Sequence, residues 1–332
     1  MPLFETTPVD VEEIRTLVKS HWNVELGINL KSSQNQTFAG IMKIGNDSFQ
    51  VAVRVTPNAE GKRTKAIELE MRVLEFLASR ALPVCNAYPD VISGALQVPL
   101  GGKLSVSVFH FAKGEPVVFT DWKWMVEEEK VVGVGKFIGR LHLLLDEFEN
   151  TFPELLSDAR HWKELHDGVL KHVEVHVDDA VMEQSPSGSP RSFGIIHGDI
   201  NPSNYFWNAE LGMPSMFDWD QLQRAWRLYD LSSCIWTVIT LESAGSPVDM
   251  KPVPEANVEE YTKWLLKGYE TEIGHSVDRA SLERMIAIRR ELYRSFCSRA
   301  LSQLQPGTLM YNFCEFMDNW LSGKNKTHSS SK

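Results

Sequence analysis

The feature that most constrains this chain is a polar loop directly after a short apolar segment in its second half. Residues 193–196 are apolar apart from one glycine, and they predict a buried strand that ends where the sequence turns polar. The loop opens with His197, Gly198 and Asp199, and Asn204 follows near its end. A rigid strand therefore holds a carboxylate and a carboxamide on one short loop.

A second acidic segment follows closely in the sequence. Residues 205–207 are aromatic, residues 208–212 have the composition of a hairpin turn, and residues 214–217 predict the next strand. Asp218 stands at the end of that strand, and Asp220 comes soon after it. The order of strand, polar loop, hairpin, strand and acid predicts that the two acidic segments come together in the fold.

The residue types of these segments suit phosphoryl transfer. An aspartate beside a hydroxyl group can accept its proton as the phosphoryl group arrives. Mg²⁺ prefers oxygen ligands, commonly one or two carboxylates with phosphate oxygens and water, and Asn204 and Asp218 offer such oxygens. Either motif alone is most often a turn or a helix cap, whereas the two in this order and spacing are far more specific.

Residues 195–220 resemble the aminoglycoside phosphotransferase and choline kinase group of small-molecule kinases, which share the protein-kinase-like fold. The shared pattern is His-Gly-Asp, four residues, Asn, and then a strand that ends in Asp. The resemblance implies that Asp199 is the catalytic base and that Asn204 and Asp218 bind Mg²⁺. It also implies that His197 braces the catalytic loop.

Two further acids have supporting roles in this comparison. Asp230 is followed by a leucine and matches the Asp-Leu pattern of the family, in which the acid is structural. Asp220 fills a position that is often acidic in these kinases, and we group it with the supporting residues.

A kinase of this fold also needs a cation for the phosphates, supplied by an N-terminal sheet. Residues 49–55 alternate in type, which places Ala52 and Arg54 on one face of a strand. Residues 51–54 resemble the Val-Ala-Ile-Lys of protein kinases, where the alanine lies against adenine and the cation contacts the phosphates. Arginine replaces the usual lysine, and its planar guanidinium can bind phosphate oxygens in bidentate fashion. The alternative is an edge-strand arginine that faces water.

A helix should follow and hold that cation with a glutamate. Residues 63–79 carry apolar side chains at steps of three and four, as an amphipathic helix does. The family pattern implies that Glu70 pairs with Arg54. Glu68 is the rival on a different helix face, and a solvated surface charge is the default for either residue.

Two further segments complete the expected nucleotide site. Residues 32–38, including Ser33, stand where protein kinases have a glycine-rich loop, and they are polar instead. Backbone amides and small hydroxyls could still contact phosphate there. Residues 104–111 alternate as a strand and resemble the hinge of the family, where backbone groups from Phe109 to Phe111 would bind adenine.

Composition narrows the class of partner. The chain has 332 residues and a formal net charge of −10, with a pI near 5.5, which argues against nucleic acid because that partner needs a basic face. No apolar run approaches the roughly 20 residues of a membrane span, and the N-terminus lacks a signal-peptide pattern. Four cysteines are scattered without metal or pairing spacing. We therefore expect a reduced, cytoplasmic setting without a membrane.

Two other patterns were weighed against this interpretation. His172 and His176 are four residues apart and could bind zinc, but the His-Glu-x-x-His order is absent and a surface helix is the better interpretation. Aromatic residues follow the acidic segment and recur late in the chain. They suit core packing best, and an aromatic wall near acids mildly favours a cationic amino alcohol as acceptor. They are Trp219, Trp226, Tyr229, Trp236 and Tyr293.

Together these patterns predict a two-lobed α+β protein with a protein-kinase-like fold. An N-terminal antiparallel sheet lobe with one helix covers residues 1–110, a larger, mainly helical lobe covers 111–323, and a disordered tail covers 324–332. The expected activity is ATP- and Mg²⁺-dependent phosphorylation of a small-molecule hydroxyl, on an amino alcohol, homoserine, an aminoglycoside or a sugar. The alternatives are a protein Ser/Thr kinase and a catalytically weak binding or scaffold protein. The sequence decides neither ATP against GTP nor the oligomeric state.

Overall fold

A computed structural model describes residues 9–32, 35–164, 192–247 and 249–324. It confirms the predicted α+β architecture, with an antiparallel sheet lobe followed by a larger, mainly helical lobe. Three of the sequence expectations, namely Ser33, the candidate zinc pair His172 and His176, and the tail from residue 325, lie outside the described residues.

Within the described residues, the sheet lobe has two α-helices and six strands. The strand order is β1-β2-β3-β6-β4, every neighbouring pair is antiparallel, and the short β5 also pairs with β6. The elements are α1 (Val11–Trp22), β1 (Val24–Ser32), β2 (Gln36–Ile44), β3 (Asp47–Pro57), α2 (Thr64–Ser79), β4 (Ala87–Tyr88), β5 (Val98–Leu100) and β6 (Leu104–His110).

Helix α1 was not anticipated from the sequence, which suggested one helix in this lobe. Its N-terminus is capped by Asp10, whose carboxylate accepts the backbone N–H of Glu12 at 2.8 Å. Ile14, Val18 and Trp22 recur at four-residue steps and bury one face of the helix in the core of the sheet lobe. That spacing behind a capping aspartate is a local signal that could have identified the helix.

The helical lobe begins with small elements and is dominated by long helices. Two glycines allow close packing between α4 and α6, because a Cβ at Gly135 would meet the carbonyl oxygen of Leu265 and one at Gly268 would meet that of Val132. The elements are β7 (Glu115–Pro116), α3 (Lys123–Val126), α4 (Glu128–Thr151), β8 (Phe193–Ile196), β9 (Tyr205–Asn208), β10 (Met213–Met216), β11 (Gln223–Trp226), α5 (Leu228–Ser243), α6 (Val258–Ile273), α7 (Arg279–Leu301) and α8 (Leu309–Leu321).

Strand pairing brings the two acidic segments together. β8 pairs antiparallel with β11, so that Ile196, at the end of β8, lies opposite Gln223. β9 pairs with β10, so that Tyr205 lies opposite Met216. The loops 197–204 and 217–222 therefore emerge side by side, as the sequence predicted.

Candidate active site

The structure places Asp199 and Asn204 in direct contact on the loop after β8. The Asn204 side-chain amide donates to Asp199 Oδ2 at 3.0 Å and to the Asp199 carbonyl oxygen at 2.9 Å. Asn204 is almost fully buried, whereas the Asp199 side chain is 37% exposed. The loop therefore has a fixed amide and a carboxylate that a solute can reach.

A buried hydrogen-bond network fixes the backbone of this loop. Asp230 accepts the backbone N–H groups of Gly198 at 2.8 Å and His197 at 3.1 Å, and it contacts His142 Nε2 at 3.3 Å. His142 Nδ1 lies 2.9 Å from the Tyr269 hydroxyl. Burial lowers the pKa of His142 and opposes ionisation of Asp230, but the hydrogen bonds from His142 and Gly198 lower the Asp230 pKa. Asp230 is thus an ionised anchor for the loop backbone.

His197 uses both ring nitrogens inside the loop. Its Nδ1 accepts the backbone N–H of Asp199 at 3.2 Å, and its Nε2 lies 3.3 Å from the carbonyl oxygen of Phe217. These partners require the tautomer with hydrogen on Nε2. The ring is fully buried and packs against Trp219. It connects the two acidic segments and takes no exposed position.

Gly198 is required by both its conformation and its surroundings. Its φ is +84°, a region that side chains with a Cβ rarely adopt. A Cβ at this position would also lie 2.8 Å from Gln223 Nε2 and closer still to the carbonyl oxygen of Gln221. This glycine allows the loop to turn tightly against β11, and so it positions the following Asp199.

The second acidic segment faces the same space. Asp218 has a φ of +63°, an unusual left-handed conformation for a residue other than glycine. Its Oδ2 lies 2.6 Å from Lys31 Nζ on β1. Asp220 accepts the side-chain amide of Asn35 at 2.9 Å. Burial, followed by the charge of Asp218, raises the pKa of Asp220 to about 7.

Arg54 and Glu70 form a buried bidentate ion pair. The distances are 2.6 Å from Nη1 to Oε1 and 2.7 Å from Nη2 to Oε2, and the side chains are 8% and 6% exposed. The Arg54 guanidinium also lies 4.7 Å from the centre of the Phe109 ring. Although burial disfavours the charge, Glu70 raises the pKa of Arg54. Glu68 is exposed, so the structure decides between the two glutamates in favour of Glu70.

Apolar side chains extend from β3 and β6 towards the second acidic segment. Ala52 on β3 lies directly opposite Phe109 on β6. Phe111, just beyond β6, meets Phe206 edge to face with the ring centres 6.0 Å apart. Phe206 in turn packs against Phe217 at 5.4 Å. The first three of these residues are expected from the sequence and Phe206 is not, although its place in an aromatic strand next to the loop 197–204 is a usable signal.

Two cations were missed by sequence reasoning. Lys31 lies on β1, and desolvation opposes its charge, but the attraction of Asp218 raises its pKa. Arg289 lies on α7, and its Nη2 is 3.7 Å from Asp199 Oδ1. Nothing in the local sequence marks either residue, because each meets its aspartate across a long sequence separation.

Solved structures share this fold. The amicoumacin kinase hAmiN in complex with AMP-PNP, Ca²⁺ and Ami matches with a TM-score of 0.71 and 16% identity, over 96% of this chain and 94% of that chain. The microcompartment-associated aminopropanol kinase matches with a TM-score of 0.58 and 16% identity, over 95% and 98%. The Plasmodium vivax ethanolamine kinase matches with a TM-score of 0.54 and 14% identity, over 95% of this chain and 84% of that chain. These similarities show that the chain has the fold of these three proteins.

A family model gives the more specific assignment. The model of the APH phosphotransferase enzyme family matches residues 43–252, which include β3, the loop 197–204 and the second acidic segment. The chain therefore belongs to the APH phosphotransferase enzyme family. A comparison with curated proteins gave no match. In the described part of the chain, no helix is both long and apolar enough to cross a membrane.

Proposed function

We propose that this chain transfers the terminal phosphoryl group of Mg·ATP to a hydroxyl group of a small molecule. The observation that carries the proposal is the convergence of Asp199, Asn204 and Asp218 at one end of two strand pairs. They lie near the Arg54–Glu70 pair, since the charges of Asp218 and Asp220 act on Arg54. The amicoumacin kinase structure contains AMP-PNP and Ca²⁺, which supports the binding of a nucleotide and a divalent cation by a protein with this fold.

The oxygen atoms of the second acidic segment fit a hard divalent cation. The Asn204 amide nitrogen is used on Asp199, which leaves its oxygen as the atom to offer a metal. Asp218 already attracts a cation, since the Lys31 ammonium lies 2.6 Å from it. Asn204 and Asp218 would hold Mg²⁺, which would neutralise charge on the transferred group. Asp220, whose pKa is raised to about 7, lies beside them and is held by Asn35.

Asp199 is placed to act on the acceptor hydroxyl. Its Oδ2 is oriented by Asn204, while the side chain remains partly open to solvent. It would accept the hydroxyl proton as the new bond to phosphorus forms. The backbone anchors at Asp230 and His197 keep the carboxylate in place and take no part in the proton transfer.

The adenine would lie among the side chains of Ala52, Phe109, Phe111 and Phe206. Ser33 would contact the phosphates. Arg54 has both of its terminal nitrogens bonded to Glu70, so it is less available for the phosphates than an unpaired cation would be. Lys31 is 51% exposed and projects over Asp218 from the strand that leads into that loop. We infer that Lys31 shares phosphate binding with Arg54.

Substitution of Lys31 tests this division. We expect Lys31→Gln to weaken Mg·ATP binding by about 10- to 100-fold, because a charge-assisted contact to phosphate is lost. Lys43→Gln is the matched control. Lys43 lies in the same sheet and pairs with Glu25 at the same distance of 2.6 Å, but in the described part of the chain it forms no hydrogen bond or ion pair with Asp199, Asp218 or Asp220. Titration calorimetry measures both affinities. Unchanged or tighter binding in Lys31→Gln would mean that Lys31 only neutralises Asp218 in the absence of Mg²⁺.

Ligand removal tests the metal assignment. ATP with Mg²⁺ should raise the melting temperature, and ATP with excess chelator should raise it much less, because the metal connects the phosphates to Asp218. Asp218→Asn should reduce the difference between the two conditions and leave the fold intact, as checked by circular dichroism. The absence of any Mg²⁺-dependent shift in the unmodified protein would contradict the proposal. Parallel titrations with GTP identify the preferred nucleotide.

A phosphorylation screen with labelled ATP tests the acceptor class. It should contain amino alcohols, homoserine and other hydroxylated amino acids, sugars and aminoglycosides, with a generic protein as a separate arm. We expect transfer to small molecules. Transfer only to protein would favour the protein kinase alternative, and nucleotide binding without any transfer would favour a binding protein.

A further inference from the structure

Arg289 is a half-buried cation beside Asp199 on the loop after β8. It projects from α7 in the helical lobe, and its Nη2 lies 3.7 Å from Asp199 Oδ1. Its Nη1 donates to the Tyr229 hydroxyl at 2.5 Å, and its guanidinium lies 5.1 Å from the centre of that ring. Lys31 and Arg54 reach the cleft from the sheet lobe instead. Arg289 therefore reaches Asp199 from a different lobe than these two cations.

The hydrogen-bonding capacity of this guanidinium is largely unused within the described part of the chain. Arginine has five N–H donors, and the hydrogen bond found for Arg289 is the one to Tyr229. Its Nε is buried without a partner there, and the distance to Asp199 exceeds that of a hydrogen bond. The side chain is 19% exposed and Asp199 is 37% exposed, so a small solute can reach both. A half-buried arginine with unused donors is suited to a planar anion such as a carboxylate.

The surrounding charges disfavour a cationic acceptor at this place. An ammonium group beside Asp199 would also lie within a few ångströms of the Arg289 guanidinium, and like charges at that distance repel strongly in a partly buried site. Tyr229 already has this guanidinium over its ring. Tyr229 is therefore not free to form part of a cation cage, and an aromatic cage was the reason to favour an amino alcohol.

We propose that the acceptor is a hydroxy acid whose carboxylate binds Arg289 while its hydroxyl group is bonded to Asp199. This inference rests on the phosphotransferase function proposed above and narrows its substrate class. Given the 3.7 Å separation of Nη2 and Oδ1, a carboxylate and a hydroxyl held by these two atoms are at most roughly 9 Å apart. The acceptor is thus a short molecule or has both groups close together.

The test uses matched ligands. The probes are ω-hydroxy acids of about three to six carbon atoms, which span that distance, with the primary amide of each acid and the amino alcohol of the same length. Each amide keeps the shape of its acid but lacks the negative charge. Each amino alcohol carries a positive charge in place of the negative one. Each compound is assayed for phosphorylation with saturating Mg·ATP, and its affinity for the protein without nucleotide is measured by calorimetry.

The variants separate binding from folding. Arg289→Gln removes the charge, Arg289→Lys keeps it without the planar fork, and Arg290→Gln is the control because Arg290 is exposed on the same helix. We expect the acids to bind about 10- to 100-fold better than their amides. Arg289→Gln should abolish that preference by raising KM for the acids, and it should leave KM for Mg·ATP unchanged. Arg289→Lys should recover part of the preference, and Arg290→Gln should behave like the unmodified protein.

Other outcomes overturn the inference. Equal use of acids and amides, or a preference for amino alcohols, would show that Arg289 does not bind an acceptor anion. A uniform fall in kcat with every acceptor in Arg289→Gln would assign it to the transferred phosphoryl group or to positioning of Asp199. If neither these compounds nor any acceptor of the wider screen is phosphorylated, the proposed function fails by itself. Calorimetry then still decides whether Arg289 binds hydroxy acids, since a site without Arg289-dependent affinity for them refutes the inference.

Discussion

Asp199→Asn should lower the rate of phosphoryl transfer by about 10²- to 10⁴-fold and leave nucleotide affinity within about twofold of the unmodified value. The amide cannot accept the acceptor proton, but it preserves the shape of the side chain and an oxygen for the Asn204 amide, which now donates to Asp199 Oδ2. Single-turnover kinetics with labelled ATP measure the transfer step, and calorimetry measures the affinity for Mg·ATP.

The control for this experiment is Glu129→Gln, which removes an exposed carboxylate from α4 and should change neither quantity. Turnover of Asp199→Asn at the unmodified rate would exclude Asp199 as the base. Loss of nucleotide binding together with turnover would show that Asp199 contributes chiefly to the metal or phosphate site.

Glu70→Gln should destabilise the protein by about 3–5 kcal/mol, because it leaves the buried Arg54 guanidinium without its counter-charge. Both terminal nitrogens of the Arg54 guanidinium donate to the Glu70 carboxylate, and both side chains are nearly inaccessible to solvent. The double variant Arg54→Met with Glu70→Leu removes both charges and should recover most of that stability, since no unpaired ion remains. Urea unfolding monitored by circular dichroism measures each free energy of unfolding.

Nucleotide binding distinguishes a structural pair from a functional one. We expect the stable double variant to bind Mg·ATP more weakly than the unmodified protein, because Arg54 no longer contributes positive charge beside the phosphates. Glu68→Gln, on the exposed face of the same helix, should change stability by no more than about 0.5 kcal/mol. A double variant with unchanged affinity would assign phosphate binding to Lys31 and confine the ion pair to a role in folding.

Much of the site could be predicted because its signals are local. The apolar run before His197 and the spacing from Asp199 to Asn204 describe one strand and its loop, and they do not depend on distant residues. The alternation around Ala52 and Arg54 fixes which side chains share a face of β3, and the register of β3 with β6 preserves it. The identity of the pairing glutamate could not be decided locally, since both candidates lie on one helix.

Other parts depended on distant contacts. Lys31 meets Asp218 across 187 residues of sequence, and Arg289 meets Asp199 from a helix that follows the entire catalytic segment. Neither residue belongs to a local pattern, because surface lysines and arginines are common on amphipathic strands and helices. Their proximity to the acids exists only after the sheet lobe and the C-terminal helices pack around the catalytic loop.

The sequence by itself determined the class of chemistry, since the loop from His197 to Asn204 and the strand that ends in Asp218 are each encoded by consecutive residues. The tertiary structure decided which charges surround that chemistry. It paired Glu70 with Arg54, set Lys31 over Asp218, and brought Arg289 to Asp199. The physical reason is that backbone pattern depends on neighbours in sequence, whereas electrostatic environment depends on neighbours in space.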